Sequence, residues 1–103
     1  MAAPSTSGEY VAGSGKLILV GAASVEQTGF VVGHTYEATA IDGGALIKIG
    51  TNAATIADGG FDFAVEKNGG PLRFVAQDTL YNVIESDAGS VATAVLLIAE
   101  VAG

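Results

Sequence analysis

A single histidine, His34, stands between Gly33 and Thr35, and none of the 103 residues is a cysteine. One chain of this composition cannot build a two-histidine metal site, a thiolate zinc or iron–sulfur site, a disulfide or a cysteine nucleophile. A Ser–His–Asp triad would need His34 beside a serine and an acid, yet no serine sits in the glycine frame of a nucleophile elbow. Asp58 and Asp62 flank Gly59-Gly60-Phe61, and hard oxygen ligands around glycines can hold calcium. The full ligand series of an EF-hand, closed by a bidentate Glu, is missing, so these acids read as solvated turn residues. Glu85 and Asp87 bracket Ser86 ahead of Ala88-Gly89, which is the pattern of a hairpin tip and not of a paired acid and base. Gly13-Ser14-Gly15-Lys16 lacks the upstream strand and the spacing of a phosphate loop. The chemistry-bearing residues therefore predict no enzyme, no cofactor and no bound metal.

Charge narrows the partners. Four Lys+Arg stand against eleven Asp+Glu, a net charge of −7, and the cations Lys16, Lys48, Lys67 and Arg73 are scattered over different segments. Such a chain gains nothing from releasing counterions on a phosphate backbone, so nucleic acid and anionic lipid are not expected partners. Tryptophan is absent, which weighs against a sugar site built on flat aromatic platforms. The longest apolar-leaning run, Val91 to Ala99, is far shorter than the ~20 residues of a membrane-spanning helix. Residues Met1 to Gly8 show neither the basic start nor the apolar stretch of a secretory signal, so synthesis in a cytoplasm is expected.

What positions these residues is a small all-β framework. A chain of this length buries roughly 64% of its unfolded surface, enough for one core. From Lys16 onward, short β-favouring runs alternate with Asp42-Gly43-Gly44, Asp58-Gly59-Gly60 and Asn68-Gly69-Gly70, where glycine supplies positive φ and the Asp or Asn before it bonds back to its own backbone. Strands are expected at Lys16–Ala22, Tyr36–Ile41, Ala45–Gly50, Ala54–Ala57, Phe61–Val65, Leu72–Ala76, Thr79–Glu85 and Val91–Val101. About eight short antiparallel strands over residues 16–103 predict a single β-sandwich or jelly-roll-like domain. Residues 1–15, small and polar with Pro4, Gly8, Gly13 and Gly15, read as a flexible N-terminal arm whose sizeable apolar side chains are Tyr10 and Val11.

The C-terminal run carries the clearest signal about assembly. Val91, Val95, Leu97 and Val101 fall on one face and Ala92, Ala94, Leu96 and Ile98 on the other, and both faces are apolar. Two-sided apolarity means a strand covered on both sides or one whose outer side packs on another subunit. Only 15% of the residues are charged, against roughly 25% for an ordinary soluble domain, which points the same way. Val91, Val95, Leu97 and Val101 are accordingly the expected subunit-interface residues.

The segments Leu46-Ile47-Lys48-Ile49-Gly50-Thr51-Asn52-Ala53-Ala54-Thr55, Asp58-Gly59-Gly60-Phe61, Pro71-Leu72-Arg73-Phe74-Val75 and Tyr81-Asn82-Val83-Ile84-Glu85-Ser86 resemble small structural proteins of tailed bacteriophages. In size and acidity the chain is most similar to their capsid decoration, or cement, proteins. The resemblance implies a compact sandwich, a homotrimer on the outer capsid surface of a virion, and the major capsid protein as partner. It also implies a terminal arm that grips the shell, which would give Tyr10 and Val11 the capsid contact. A tail, neck or head-fibre protein and a carbohydrate-binding or adhesion module are the alternatives.

Overall fold

The computed structural model describes residues 10–69, 71–86 and 94–102. Eight strands are present in them: β1 (Lys16–Val20), β2 (Val25–Thr28), β3 (Thr35–Ile41), β4 (Ala45–Ile49), β5 (Phe63–Val65), β6 (Leu72–Val75), β7 (Leu80–Glu85) and β8 (Ala94–Val101). They form two four-stranded antiparallel sheets, sheet A in the order β1-β8-β3-β6 and sheet B in the order β2-β7-β4-β5. The pairings β1·β8, β2·β7, β3·β6 and β4·β5 are nested, as if one long ribbon folded at the β4–β5 loop had been rolled so that successive pairs fall in alternate sheets. That winding is a jelly roll, so the expected all-β sandwich is the fold of the described chain.

Alternation builds the core. Ile18 and Val20 of β1, Tyr36, Ala38 and Ala40 of β3, Phe74 of β6 and Ala94, Leu96 and Ile98 of β8 point inward from sheet A. Ala45 and Ile47 of β4, Val65 of β5 and Tyr81 and Val83 of β7 meet them from sheet B. At one end Phe30 enters from the β2–β3 connection and stacks on Tyr81, with ring centroids 3.9 Å apart and planes 8° from parallel. Tyr36 and Phe74 close around Phe30 at 4.5 and 5.5 Å, and the Tyr36 hydroxyl accepts a hydrogen bond from the Val31 backbone N–H at 2.8 Å. A buried aromatic hydroxyl thereby finds the partner it needs.

Three sequence expectations change. The strand expected at Ala54–Ala57 is a loop, and the strand β2 was not foreseen, because Val25-Glu26-Gln27-Thr28 is mostly exposed and carries one apolar residue. The Asp-Gly-Gly and Asn-Gly-Gly signals do mark turns, with positive φ at Asp42, Asn68 and Gly59. They are not hairpin turns: the first carries the chain from sheet A to sheet B, the last carries it back, and the middle one lies inside the β4–β5 loop. Glu85, read as part of a solvated tip, ends β7 at 1% exposure; Asp87 and the tip itself lie outside the described residues.

Candidate assembly surface

Both sheets carry apolar residues on their outer faces, and the chain treats the two faces differently. On sheet B the residues 50–62 fold back as a roof. Ala54 and Phe61 pack there on Leu46 and Ile84, and all but Phe61 are buried. The roof is fastened on several sides: Ala54 N–H donates to Ser24 Oγ (2.9 Å), Asn82 Nδ2 donates to the Gly50 carbonyl (3.0 Å), and Ile49 N–H donates to Asp62 Oδ2 (2.6 Å). Asp62, weighed above as a calcium ligand, is thus a fastening of this loop. Gly60 has no room for a side chain, since a Cβ there would collide with Thr55.

Among the described residues sheet A has no such roof. The residues alternating with the core ones form ordered rows across its outer face: Leu19–Val95–Ile41, then Leu17–Leu97–Thr39, then Ala99–Glu37–Arg73. Leu17 and Leu19 are 61% and 64% exposed, Val75 at the far edge 52% and Ile41 39%. Val95, Leu97 and Ala99 along the middle are half-buried. Leucines this exposed on one sheet face, in register with more apolar side chains, form a continuous patch and not a scatter of single residues.

One segment does cross the end of this face. Tyr10 bridges Val101 in antiparallel fashion, Val11 N–H donates to the Glu100 carbonyl at 2.9 Å, and Ser14 Oγ accepts from Glu100 N–H at 2.9 Å. The Tyr10 hydroxyl reaches Glu37 and donates to its carboxylate, while Arg73 Nε donates to the same carboxylate at 2.6 Å from the other side. Glu37, 6% exposed in the middle of the sheet, is therefore a clasp with a donor on each side. Its pKa is held below the ordinary 4.5, first by the Tyr10 hydrogen bond and also by Arg73, against the opposing effect of burial. The same bond raises the Tyr10 pKa above 10.0.

The clasp makes a pH prediction. A carboxyl held below its unfolded value contributes stability that is present above that value and is lost as pH falls through the folded one. Tyr10→Phe should cost about 1 kcal/mol at pH 7, a charge-assisted hydrogen bond discounted for an exposed phenol. The difference between the two proteins in urea unfolding should shrink by pH 3; an equal gap at both pH values would refute the clasp.

The expected site residues divide as follows. Val95 and Leu97 lie on the open face. Val101 is 7% exposed, outside the main core, at the bridge with Tyr10. Val91 is outside the described residues. Tyr10 and Val11 lie on the end of their own sheet A and remain exposed. Leu17, Leu19 and Ile41 belong to the face and were not singled out from sequence; the signal was there in the unbroken apolar run Leu17-Ile18-Leu19-Val20.

A groove of about 340 Å³ runs beside the strap, lined by Tyr10, Leu17, Glu37, Thr39, Leu97 and Ala99 among others. Its polar side chains are Tyr10, Lys16, Glu37 and Thr39, and the Tyr10 hydroxyl is committed to the Glu37 carboxylate. His34 Nδ1 lies 2.7 Å from Glu100 Oε2 elsewhere, as an isolated pair. Among the described residues no three His, Cys, Asp or Glu side chains converge to hold a metal. No protein-family model, curated protein or solved structure matches this chain.

Proposed function

We propose that the chain is a structural virion protein that decorates the capsid of a tailed bacteriophage, bridging neighbouring subunits of the major capsid protein as a homotrimer. The observation that carries this reading is the open apolar face of sheet A, in a molecule whose other apolar outer face is roofed by its own chain. A protein whose described residues roof one such face and leave the other bare is suited to having the second covered by another chain. The phage part rests on the resemblance of residues 46–55, 58–61, 71–75 and 81–86, which supply β4, the roof, β6 and β7. The jelly roll does not choose among functions, since shell and lectin domains share it.

The mechanism is cross-bridging. Several copies tied together touch several shell subunits, and each contact after the first forms at high effective concentration, so modest contacts add to firm attachment. Exposed acids away from the open face, including Asp58 and Glu66, favour basic patches on a shell and speed encounter at low salt. Tyr10 and Val11, exposed on the strap, are assigned the shell contact. Gradient-purified particles from a culture that produces this chain, analysed by mass spectrometry, should contain it in fixed ratio to the major capsid protein. Its absence from particles while abundant in the lysate would overturn the reading.

A further inference from the structure

We infer that Asn68 is a site of self-modification: its side-chain amide is converted, through a cyclic imide formed with Gly69, to aspartate or isoaspartate in the turn between β5 and β6. The inference stands apart from the capsid reading and needs only the chain's own groups and water.

The chain has three asparagines, and their surroundings separate them. Asn82 is 5% exposed, its Nδ2 donates to the Gly50 carbonyl at 3.0 Å, and the β-branched Val83 follows it inside β7. Asn52 is exposed, but the methyl group of Ala53 flanks the next backbone nitrogen. Asn68 is exposed and precedes Gly69, which has no Cβ to obstruct that nitrogen. The Gly69 N–H is also lightly held: it donates to the Glu66 carbonyl at 3.2 Å, longer than the usual span of about 2.9–3.0 Å. Asn68 itself sits at φ 54°, in the left-handed region that few side chains other than asparagine and aspartate enter. An exposed turn closed by one long bond opens locally at small cost, which frees the nitrogen to meet the amide.

The reaction balances without an oxidant or a reductant. The Gly69 nitrogen gives its proton to water or hydroxide and attacks Asn68 Cγ; the new C–N bond forms, the Cγ–Nδ2 bond breaks, and ammonia leaves. Water then opens the ring. Hydrolysis at Cγ restores the ordinary backbone with aspartate at position 68. Hydrolysis at the main-chain carbonyl leaves isoaspartate, in which the chain runs through the former side chain and is one methylene longer. Asp42-Gly43 and Asp58-Gly59 look alike in sequence, but a carboxylate resists the attack that an amide accepts.

Position gives the change a consequence. The Asn68 N–H donates to the Ala40 carbonyl of β3 at 2.8 Å, and Lys67 bridges Ala40, so the β5–β6 connection is pinned here to sheet A. Aspartate adds one negative charge near Glu66 and keeps the pin. Isoaspartate lengthens the backbone between the pin and β6 and loosens it.

The test is incubation of the full folded chain in mildly alkaline buffer, followed over days by ion-exchange chromatography and by peptide mapping with mass spectrometry. A more acidic species should accumulate, heavier by the difference between a hydroxyl and an amino group. Mapping should place the change at residue 68, as aspartate and isoaspartate, with Asn52 and Asn82 intact. Asn68→Gly, which suits the positive φ and carries no amide, should yield no such species. The isolated isoaspartate form should melt below Asn68→Asp, which has the added charge without the added methylene. An Asn68 that stays intact in the folded chain while the urea-unfolded chain converts, or earlier conversion at Asn52, would overturn the inference. Equal melting of the isoaspartate form and Asn68→Asp would overturn the consequence drawn for the turn.

Discussion

The Phe30→Ala variant is expected to unfold about 4 kcal/mol more easily than the parent chain, the largest single-residue loss in this fold. Phe30 is almost fully buried and touches three other rings: it stacks on Tyr81, tilts against Tyr36 and meets Phe74 edge-on. Removing it forfeits the transfer of one aromatic side chain, opens a void, and loses pairs worth about 0.5–1.5 kcal/mol each beyond their buried area. Domains of this size are stable by about 5–15 kcal/mol in all, so the variant keeps little margin. A second reading of the same variant is chemical. Burial disfavours the phenolate of Tyr81 and pushes its pKa up to about 12. That raised pKa contributes stability at neutral pH that is lost as pH climbs from about 10 towards 12. Without Phe30 water reaches the ring, and absorbance titration should show Tyr81 ionising nearer 10. A denaturation midpoint unchanged from the parent would contradict the role given to this cluster.

The second large effect should come from the roof. Phe61 is half-buried over Leu46 and Ile84, so Phe61→Ser should cost about 2 kcal/mol, roughly half the loss at a fully buried phenylalanine. The more telling outcome is association. With its roof loosened, sheet B presents a second apolar face, and a molecule with two bare faces can grow in two directions instead of closing. Phe61→Ser should therefore bind a hydrophobic dye and form assemblies larger than the parent's, while Leu17→Glu in the same background keeps only the growth through sheet B. A Phe61→Ser protein with the parent's mass and dye binding would show that the roof does not guard that face.

These two faces also show how far a sequence of this kind can be read. The β character and the turn positions were legible, because Asp-Gly-Gly and Asn-Gly-Gly force the backbone locally and need no tertiary context. Strand β2 was not, since an exposed edge strand of four residues carries almost no alternation. The segment Ala54–Ala57 looked like a strand because Ala54 is apolar, but its apolarity serves the roof: Ala54 is buried on Ile84 and tied to Ser24, thirty residues away in the chain. Which sheet each turn serves is decided by nested long-range pairing, and no local signal records that. On the outer face of sheet A, the two-sided apolarity of the last strand pointed to Val95 and Leu97, which lie half-buried on that face. Its neighbours Leu17, Leu19 and Ile41 became visible only once the register of β1 and β3 on β8 was known. The strap was legible only as composition; its clasp on Glu37 joins residues 27 positions apart.

Because the chain has no cysteine, one introduced thiol can report on the open face directly. The measurement is the rate at which Leu17→Cys reacts with a maleimide, compared with Ile56→Cys, two positions of nearly equal exposure in the single chain, at 61% and 56%. Covering of sheet A by further copies predicts that the thiol at position 17 reacts at least tenfold more slowly at high protein concentration and recovers on dilution, while the thiol at position 56 does neither. Equal rates at every concentration would mean that the face stays bare, and the account of this chain as a self-assembling subunit would be wrong.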